Sequence, residues 1–268
     1  MCMTRALVIR AAGTNCDAEL CRAFEMAGAS PDLVHLDRVI AEPRRMEDAD
    51  LIGFPGGFSY GDDIASGRIF AMRVRERLWP ALRGAVVRGC PVIGVCNGFQ
   101  VLVQVGLLPG PARGEEWPID APPTPTAALC DNVSARYEDR WCGVEFVRES
   151  VCVWTRGLEG LGDEVGRLPS AHGEGRLVFG TPGTLARLES AGQVALRYKD
   201  NYNGSEGAVA GLCDATGRVF GLMPHPERYL DWTRHPWWTR LDEGQRRGQT
   251  PGLRIFINAV EAARSVAV

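Results

Sequence analysis

The rhythm of the first 106 residues constrains the fold more than any other feature. Short apolar runs alternate with helical stretches, and the runs end in turns rich in glycine, proline or asparagine. Residues 5–10 (RALVIR) form the first run. A helix over 17–27 follows, with Leu20, Ala23, Phe24 and Ala27 on one face and Gly28 as its stop. Further runs lie at 32–36, 49–54 and 91–95, with helices predicted over 69–82, broken near Pro80, and over 97–105, stopped at Gly106. Apolar runs separated by helices pair through crossovers, which makes them parallel and buried on both faces. The expected class is therefore α/β, with a mostly parallel central sheet flanked by helices.

The texture changes after Leu108. Residues 109–125 hold six prolines and little periodicity. Strands are predicted over 141–153, 176–179, 193–198, 208–213 and 218–222, the last two joined by a turn at 214–217. A tryptophan-rich irregular stretch covers 231–251. The chain ends in a helix from Leu253 to about Val266, with Leu253, Phe256, Ile257 and Val260 as its apolar stripe. The pattern predicts one domain over 1–268 with irregular insertions at about 109–140 and 231–251.

Composition narrows the function classes. A chain of 268 residues that is 45% hydrophobic and 24% charged is an ordinary globular protein. Its net charge of −3 gives no basic surface for phosphate backbones, so no nucleic acid is expected. No run of 18 apolar residues occurs, so no membrane span is expected and the default compartment is cytoplasmic. Nine cysteines are scattered without a C-x-x-C pair. That excludes zinc-ribbon and thioredoxin readings and implies reduced, mostly buried thiols with no bound metal.

The chemistry concentrates in three segments. GVCNG at 94–98 lies between a predicted strand and a helix and has the form G-x-C-x-G, the thiol version of the nucleophile elbow. The helix N-terminus behind Cys96 favours a thiolate and offers free N–H groups to an oxyanion. A thiolate nucleophile needs a base and an orienting partner. His225 and Glu227 in MPHPER at 223–228 are two apart on an extended segment and face one side, which nominates them as base and orienter. His172 sits in a glycine-rich stretch, and His35 and His235 read as structural. The third segment, FPGGFSYGD at 54–62, has no phosphate-loop pattern and reads as a backbone contribution to an oxyanion hole. A buried structural cysteine at a strand end is the competing reading of Cys96.

Taken together, AGTNCD (12–17), PGGFSYGD (55–62), GVCNGFQ (94–100), AHGEGR (171–176), NGS (203–205) and GLMPHPER (221–228) resemble the class I (triad) glutamine amidotransferases. Within that superfamily they resemble the glutaminase subunits of phosphoribosylformylglycinamidine synthase. The segment 130–138 departs from that pattern, with Ala135 where the family carries glycine. The resemblance implies a flavodoxin-like architecture with Cys96 as nucleophile, His225 as base and Glu227 as its partner. It also implies oxyanion N–H groups from Gly57 and Asn97 and a substrate-binding role for Gln100. The implied substrate is L-glutamine. Ammonia would pass to a large synthetase subunit (PurL), together with a small PurS subunit, in purine biosynthesis. No cofactor is implied on this chain; ATP and Mg would bind the partner. Two other readings stay open here: an amidotransferase subunit of another pathway, and a non-catalytic cysteine-elbow binding module.

Overall fold

The computed structural model describes residues 3–265. The elements, in chain order, begin with β1 (Arg5–Arg10), α1 (Asp17–Met26), β2 (Ser30–His35), α2 (Leu36–Ala41), α3 (Arg44–Glu47) and β3 (Leu51–Phe54). Next come α4 (Arg68–Arg77), α5 (Trp79–Val87), β4 (Val92–Val95), α6 (Asn97–Val105), β5 (Ala127–Cys130) and β6 (Glu138–Phe146). The last are β7 (Arg167–His172), β8 (Arg176–Phe179), α7 (Thr184–Ser190), β9 (Val194–Tyr198), β10 (Val209–Cys213), β11 (Val219–Leu222) and α8 (Pro251–Arg264). The predicted final residues of α8, up to Val266, lie outside the described residues.

One nine-stranded sheet runs β2-β1-β3-β4-β11-β10-β9-β6-β7. The five strands from β2 to β11 are parallel. The four from β10 to β7 extend it in antiparallel fashion. The sheet is thus mixed, with its parallel part as predicted and an antiparallel wing beyond it. β3 and β4 are buried at every position, which is why they read as unbroken apolar runs. β2, at the sheet edge, is mostly exposed or half-buried.

Glycines let helices approach both faces of the parallel strands. A Cβ on Gly53 would sit 2.9 Å from Leu20 of α1. Gly94 and Gly221, paired across β4 and β11, face the other way: a Cβ there would lie 2.8 Å from Leu102 and 2.1 Å from Phe99 of α6. α6 is buried nearly all round. α1 packs on α8 through the edge-to-face rings of Phe24 and Phe256, 5.5 Å apart. Thr250 caps α8 by accepting from the Leu253 N–H at 3.2 Å.

Several boundaries differ from the sequence reading. The helix predicted over 69–82 is two helices, because Pro80 suits the first turn of a new helix, α5. The strand predicted over 141–153 spans Glu138–Phe146 instead, and residues 153–155 form a short 3-10 turn. β8 pairs with β5 in a separate two-stranded sheet. The stretch after Leu108 stays irregular up to β5, and 231–250 contains only short 3-10 turns. Ala135 adopts φ 51°, the left-handed conformation that the family's glycine takes without strain.

Two glycine substitutions should therefore act in opposite directions. A Cβ on Gly98 would lie 1.9 Å from the Phe54 carbonyl oxygen, backbone against backbone. Gly98→Ala should destabilise the chain by about 3 kcal/mol or more. Gly84, inside α5, has open space around its would-be Cβ, so Gly84→Ala should stabilise by roughly 0.5–1 kcal/mol. Urea unfolding of the two variants checks both signs.

Candidate active site

Four parallel strands deliver their carboxyl ends to one edge of the sheet, where α/β folds place their ligand sites. Residues 11–16 follow β1, 55–58 follow β3, Cys96 follows β4, and His225 lies just beyond β11. The cleft there is lined by Cys16, Gly57, Cys96, Gln100, His172 and His225, among others. A larger cavity, about 700 Å³, lies at the opposite strand ends around Arg5, Asp32 and Arg45, with no thiol or histidine in its wall.

Cys96 is held in a strained turn, φ 51° and ψ −107°. Its N–H donates to the Leu222 carbonyl at 2.8 Å, and its carbonyl accepts from the Gln100 N–H at 3.1 Å. The flanking glycines of the elbow are sterically required. A Cβ on Gly94 would meet the Gly98 carbonyl at 2.4 Å, just as one on Gly98 would meet Phe54. A strained non-glycine residue at a strand–helix junction marks a site where geometry serves chemistry. The Cys96 Sγ lies 3.7 Å from the Ala171 carbonyl oxygen.

His225 and Glu227 meet as the sequence suggested, by a different local geometry. Pro226–Arg228 is a single 3-10 turn, and it folds the Glu227 carboxylate back onto the imidazole. His225 Nδ1 and Glu227 Oε1 are 2.6 Å apart, with both side chains about 98% buried. The His225 N–H donates to the Pro169 carbonyl at 2.7 Å. Burial alone would lower the imidazole pKa. The Glu227 carboxylate, with Cys96 and Cys16 also against the ring, reverses this and holds it well above its ordinary value. With Nδ1 facing a carboxylate, Nε2 is the nitrogen left for the thiol side.

Gly57 lines the cleft at φ 141°, and its N–H has no hydrogen-bond partner among the described residues. Asn97 opens α6, where a first-turn N–H has no intrahelical acceptor. Its side chain stands behind the cleft wall, accepting from the Ser59 N–H at 3.2 Å and donating to Gln100 Oε1 at 2.9 Å. Gln100 does line the cleft, but its Nε2 also donates to the Glu174 carbonyl at 2.6 Å, so it braces the wall as well. Glu227 lies behind His225, outside the lining.

His172 has neither ring nitrogen free to act on a ligand. It ends β7, a strand not among those the sequence predicts. Asn132 Oδ1 accepts from the Gly175 N–H at 3.3 Å, which fixes that atom as an acceptor. His172 Nδ1, 3.0 Å from the same oxygen, must therefore carry the proton. His172 Nε2 then accepts from the Tyr202 hydroxyl at 2.8 Å, and that hydroxyl accepts from Ser170 at 2.7 Å. Both ring nitrogens are used. Burial, with the nearby His225 charge, pulls the His172 pKa down to about 4. His35 caps α2 and His235 donates to the Glu164 carbonyl, so both are structural as read.

Sequence reasoning misses Cys16, whose thiol reads as packing within AGTNCD. Cys16 is 1% exposed and lines the same cleft as Cys96. Its Sγ donates to Asn15 Oδ1 at 3.3 Å and accepts from Arg228 Nη2 at 3.1 Å. Its only sequence signal is its place in the turn after the first parallel strand.

Comparison with known proteins agrees with this geometry. Residues 3–261 match the family model described as a CobB/CobQ-like glutamine amidotransferase domain. A phosphoribosylformylglycinamidine synthase subunit PurQ from Dehalococcoides mccartyi is 39% identical, over 99% of this chain and 100% of the relative. The chain belongs to the PurQ family of glutamine amidotransferases. A PurQ from Methanococcus maripaludis is 38% identical over 96% of both chains. The solved PurLQS structure from Thermotoga maritima superposes with a TM-score of 0.70 at 30% identity, covering 97% of this chain and 99% of that one. A solved protein from Thermoplasma acidophilum, described as belonging to a GMP synthase, shares the fold. It is 13% identical with a TM-score of 0.58, covering 99% of this chain and 96% of that one. The fold is thus that of the class I amidotransferases, and an enzyme replaces the non-catalytic module among the readings. No described helix is long and apolar enough to cross a membrane.

The depressed His172 pKa has a measurable consequence. A histidine with a folded pKa near 4 and an unfolded value near 6.5 contributes stability that is full above about pH 6.5. That stability is lost as pH falls toward 4. Between pH 7.5 and pH 5 the native chain should lose about 2 kcal/mol more than His172→Asn does. Denaturant unfolding of both at the two pH values checks this.

Proposed function

We propose that this chain is the glutaminase subunit of a phosphoribosylformylglycinamidine synthase. It hydrolyses L-glutamine and passes ammonia to an ATP-dependent synthetase subunit, which converts formylglycinamide ribonucleotide to the amidine. The observation that carries the reading is His225, in the wall of the cleft that holds the strained Cys96, backed by the buried Glu227 carboxylate. The family membership supports the same pathway.

The residues act as follows. The Cys96 thiolate attacks the side-chain amide carbon of glutamine. Negative charge developing on the amide oxygen is met by the N–H groups of Gly57 and Asn97. His225, kept cationic by Glu227, protonates the leaving nitrogen, and ammonia departs from a γ-glutamyl thioester. His225 then takes a proton from water, which attacks the thioester and releases glutamate and the Cys96 thiolate. Gln100 shapes the cleft around the amino-acid end of the substrate. The synthetase partner is a PurL, with a PurS subunit in the complex, and ATP and Mg²⁺ belong to that partner. The chain acts as one amidotransferase domain in the cytoplasm, a setting that suits its unpaired thiols.

Reconstitution with the synthetase subunits tests the reading. Cys96→Ala should abolish glutamine-driven synthesis and leave synthesis from ammonium salts intact. Loss of both activities would make Cys96 structural. Glu227→Gln should lower kcat far more than it raises KM, because it removes the charge that supports imidazolium without touching substrate.

The free chain should be a poor glutaminase. With glycine on both sides, the Gly56–Gly57 peptide can reorient for the loss of one hydrogen bond, from the Cys16 N–H to the Gly56 carbonyl at 3.2 Å, and a partner that favours one orientation of its N–H shifts that population. One oxyanion donor is worth about 10²–10³ in rate, so glutamate release should rise on the order of a hundredfold in the complex. Equal kcat/KM with and without partner subunits, ribonucleotide and ATP would remove the gating.

A further inference from the structure

We propose that Cys16, His225 and Glu227 form an inhibitory site for a borderline-soft divalent cation of the Zn²⁺ class. One ligand atom from each of the three lies within 4.8 Å of the others, and all three side chains are buried. A second observation points to a ligand. Glu227 Oε2 is buried without a hydrogen-bond partner among the described residues, although the other oxygen of the same carboxylate is firmly bonded to His225. A lone buried carboxylate oxygen beside a thiol and an imidazole is an acceptor waiting for a donor or a cation.

The donor set selects the cation. One sulfur, one imidazole nitrogen and one carboxylate oxygen suit tetrahedral Zn²⁺. Mg²⁺ and Ca²⁺ require six or more oxygens, which this pocket lacks. Bond lengths of about 2.0–2.3 Å place tetrahedral ligands roughly 3.3–3.8 Å apart, so the Cys16 thiol must close by up to about 1 Å while the His225–Glu227 pair, now 2.6 Å apart, opens. The fourth position opens onto the cleft, because Cys16 and His225 both line it. Gly56 packs against both groups from the other side: a Cβ there would lie 3.2 Å from Cys16 Sγ and 2.9 Å from His225 Cε1, so no larger residue fits.

The charges balance. Binding releases two protons to solvent, one from the Cys16 thiol and one from His225 Nδ1. The thiolate and the carboxylate then offset the two positive charges of the ion. Burial holds the Cys16 thiol above its ordinary pKa, so the proton leaves only as the ion binds; Arg228 Nη2, 3.1 Å from the sulfur, offsets part of that cost, and Glu19 pairs with the same guanidinium at 3.1 Å. The ion would take the place of the proton shared by His225 and Glu227. The imidazole then loses its orienting partner and its capacity to become cationic. Glutamine hydrolysis stops until the ion is removed. Inhibition rests on the role given to His225 above; binding does not.

The test separates the two. The full-length Cys96→Ala chain is titrated with zinc chloride by calorimetry at neutral pH. One tight equivalent is expected, since Cys96 is not among the three ligands. On the same background Cys16→Ala and His225→Ala should each weaken that equivalent at least about tenfold. Thermal melts without metal establish that the variants fold, and Cys16→Ser, nearly isosteric, serves if Cys16→Ala does not. The proposal is overturned if Cys96→Ala alone removes the tight equivalent, because the ion is then held by the nucleophile. It is equally overturned if the Cys16 and His225 variants bind like their parent. In the native chain, glutamate release should fall with added Zn²⁺ and return with a chelator; tight binding without inhibition would remove the inhibitory role.

Discussion

Everything at the carboxyl edge depends on how closely α6 approaches β3. The contact is between Gly98 and the Phe54 carbonyl, and no side chain larger than hydrogen fits between them. It presses the start of α6 down onto the sheet, so the chain must turn sharply between Val95 and Asn97. The turn is absorbed at Cys96, which takes a left-handed φ that a side chain normally avoids. The strain is tolerated because β3, β4 and most of α6 are buried on all sides, and a packed core does not yield to one unfavourable torsion. The elbow is thus a property of core packing, expressed at the surface of a cleft.

β7 does for the second half of the site what α6 does for the first. It is the last strand of the antiparallel wing, yet its backbone returns to the parallel edge. There the Pro169 carbonyl takes the His225 N–H, and the Ala171 carbonyl sits over the Cys96 sulfur. Cys96 and His225 follow strands adjacent in the parallel core, and both touch one strand from the far end of the sheet. The neutral His172 explains how that strand is held. Its two nitrogens link Asn132 on one side and Tyr202 on the other, so two irregular segments are tied to β7 by directed bonds. Such a network fixes position well because each unmade bond would leave a buried polar group unpaired.

This division explains what could be read from sequence. β1, β3 and β4 were legible because burial on both faces makes continuous apolar runs, and α1 and α6 because glycine stops follow periodic stripes. β7 was not. Its inward positions are Leu168, Ser170 and His172, and two of those three are polar because they belong to the hydrogen-bond network. Period-two patterning fails where the buried face is polar. α7 presents only Thr184 and Leu188 to the interior, and β5 is four residues long, too little for any period. Within the site, Cys96, His225 and Glu227 were legible from spacing. The route to Glu227 was partly fortunate: a residue two along faces the histidine here through a tight turn rather than along a strand. Cys16 was illegible because a thiol in a turn carries no spacing signal. Its meaning lies in a contact with residues more than 200 positions away.

The His225–Glu227 pair also shows where the fold gives up stability for chemistry. Both groups are almost wholly removed from water. Burying an ion pair forfeits several kcal/mol of hydration per charge, and well-packed apolar residues of similar volume often serve stability as well or better. A chain selected for stability alone would not keep this arrangement. Dry surroundings strengthen the carboxylate's hold on the imidazolium, which is the form that protonates a leaving amine. Water would screen that interaction and admit a competing proton donor. The Glu227 carboxylate, acting against the cost of burial, therefore holds the histidine toward its cationic form, and the large parallel core supplies the stability needed to tolerate it.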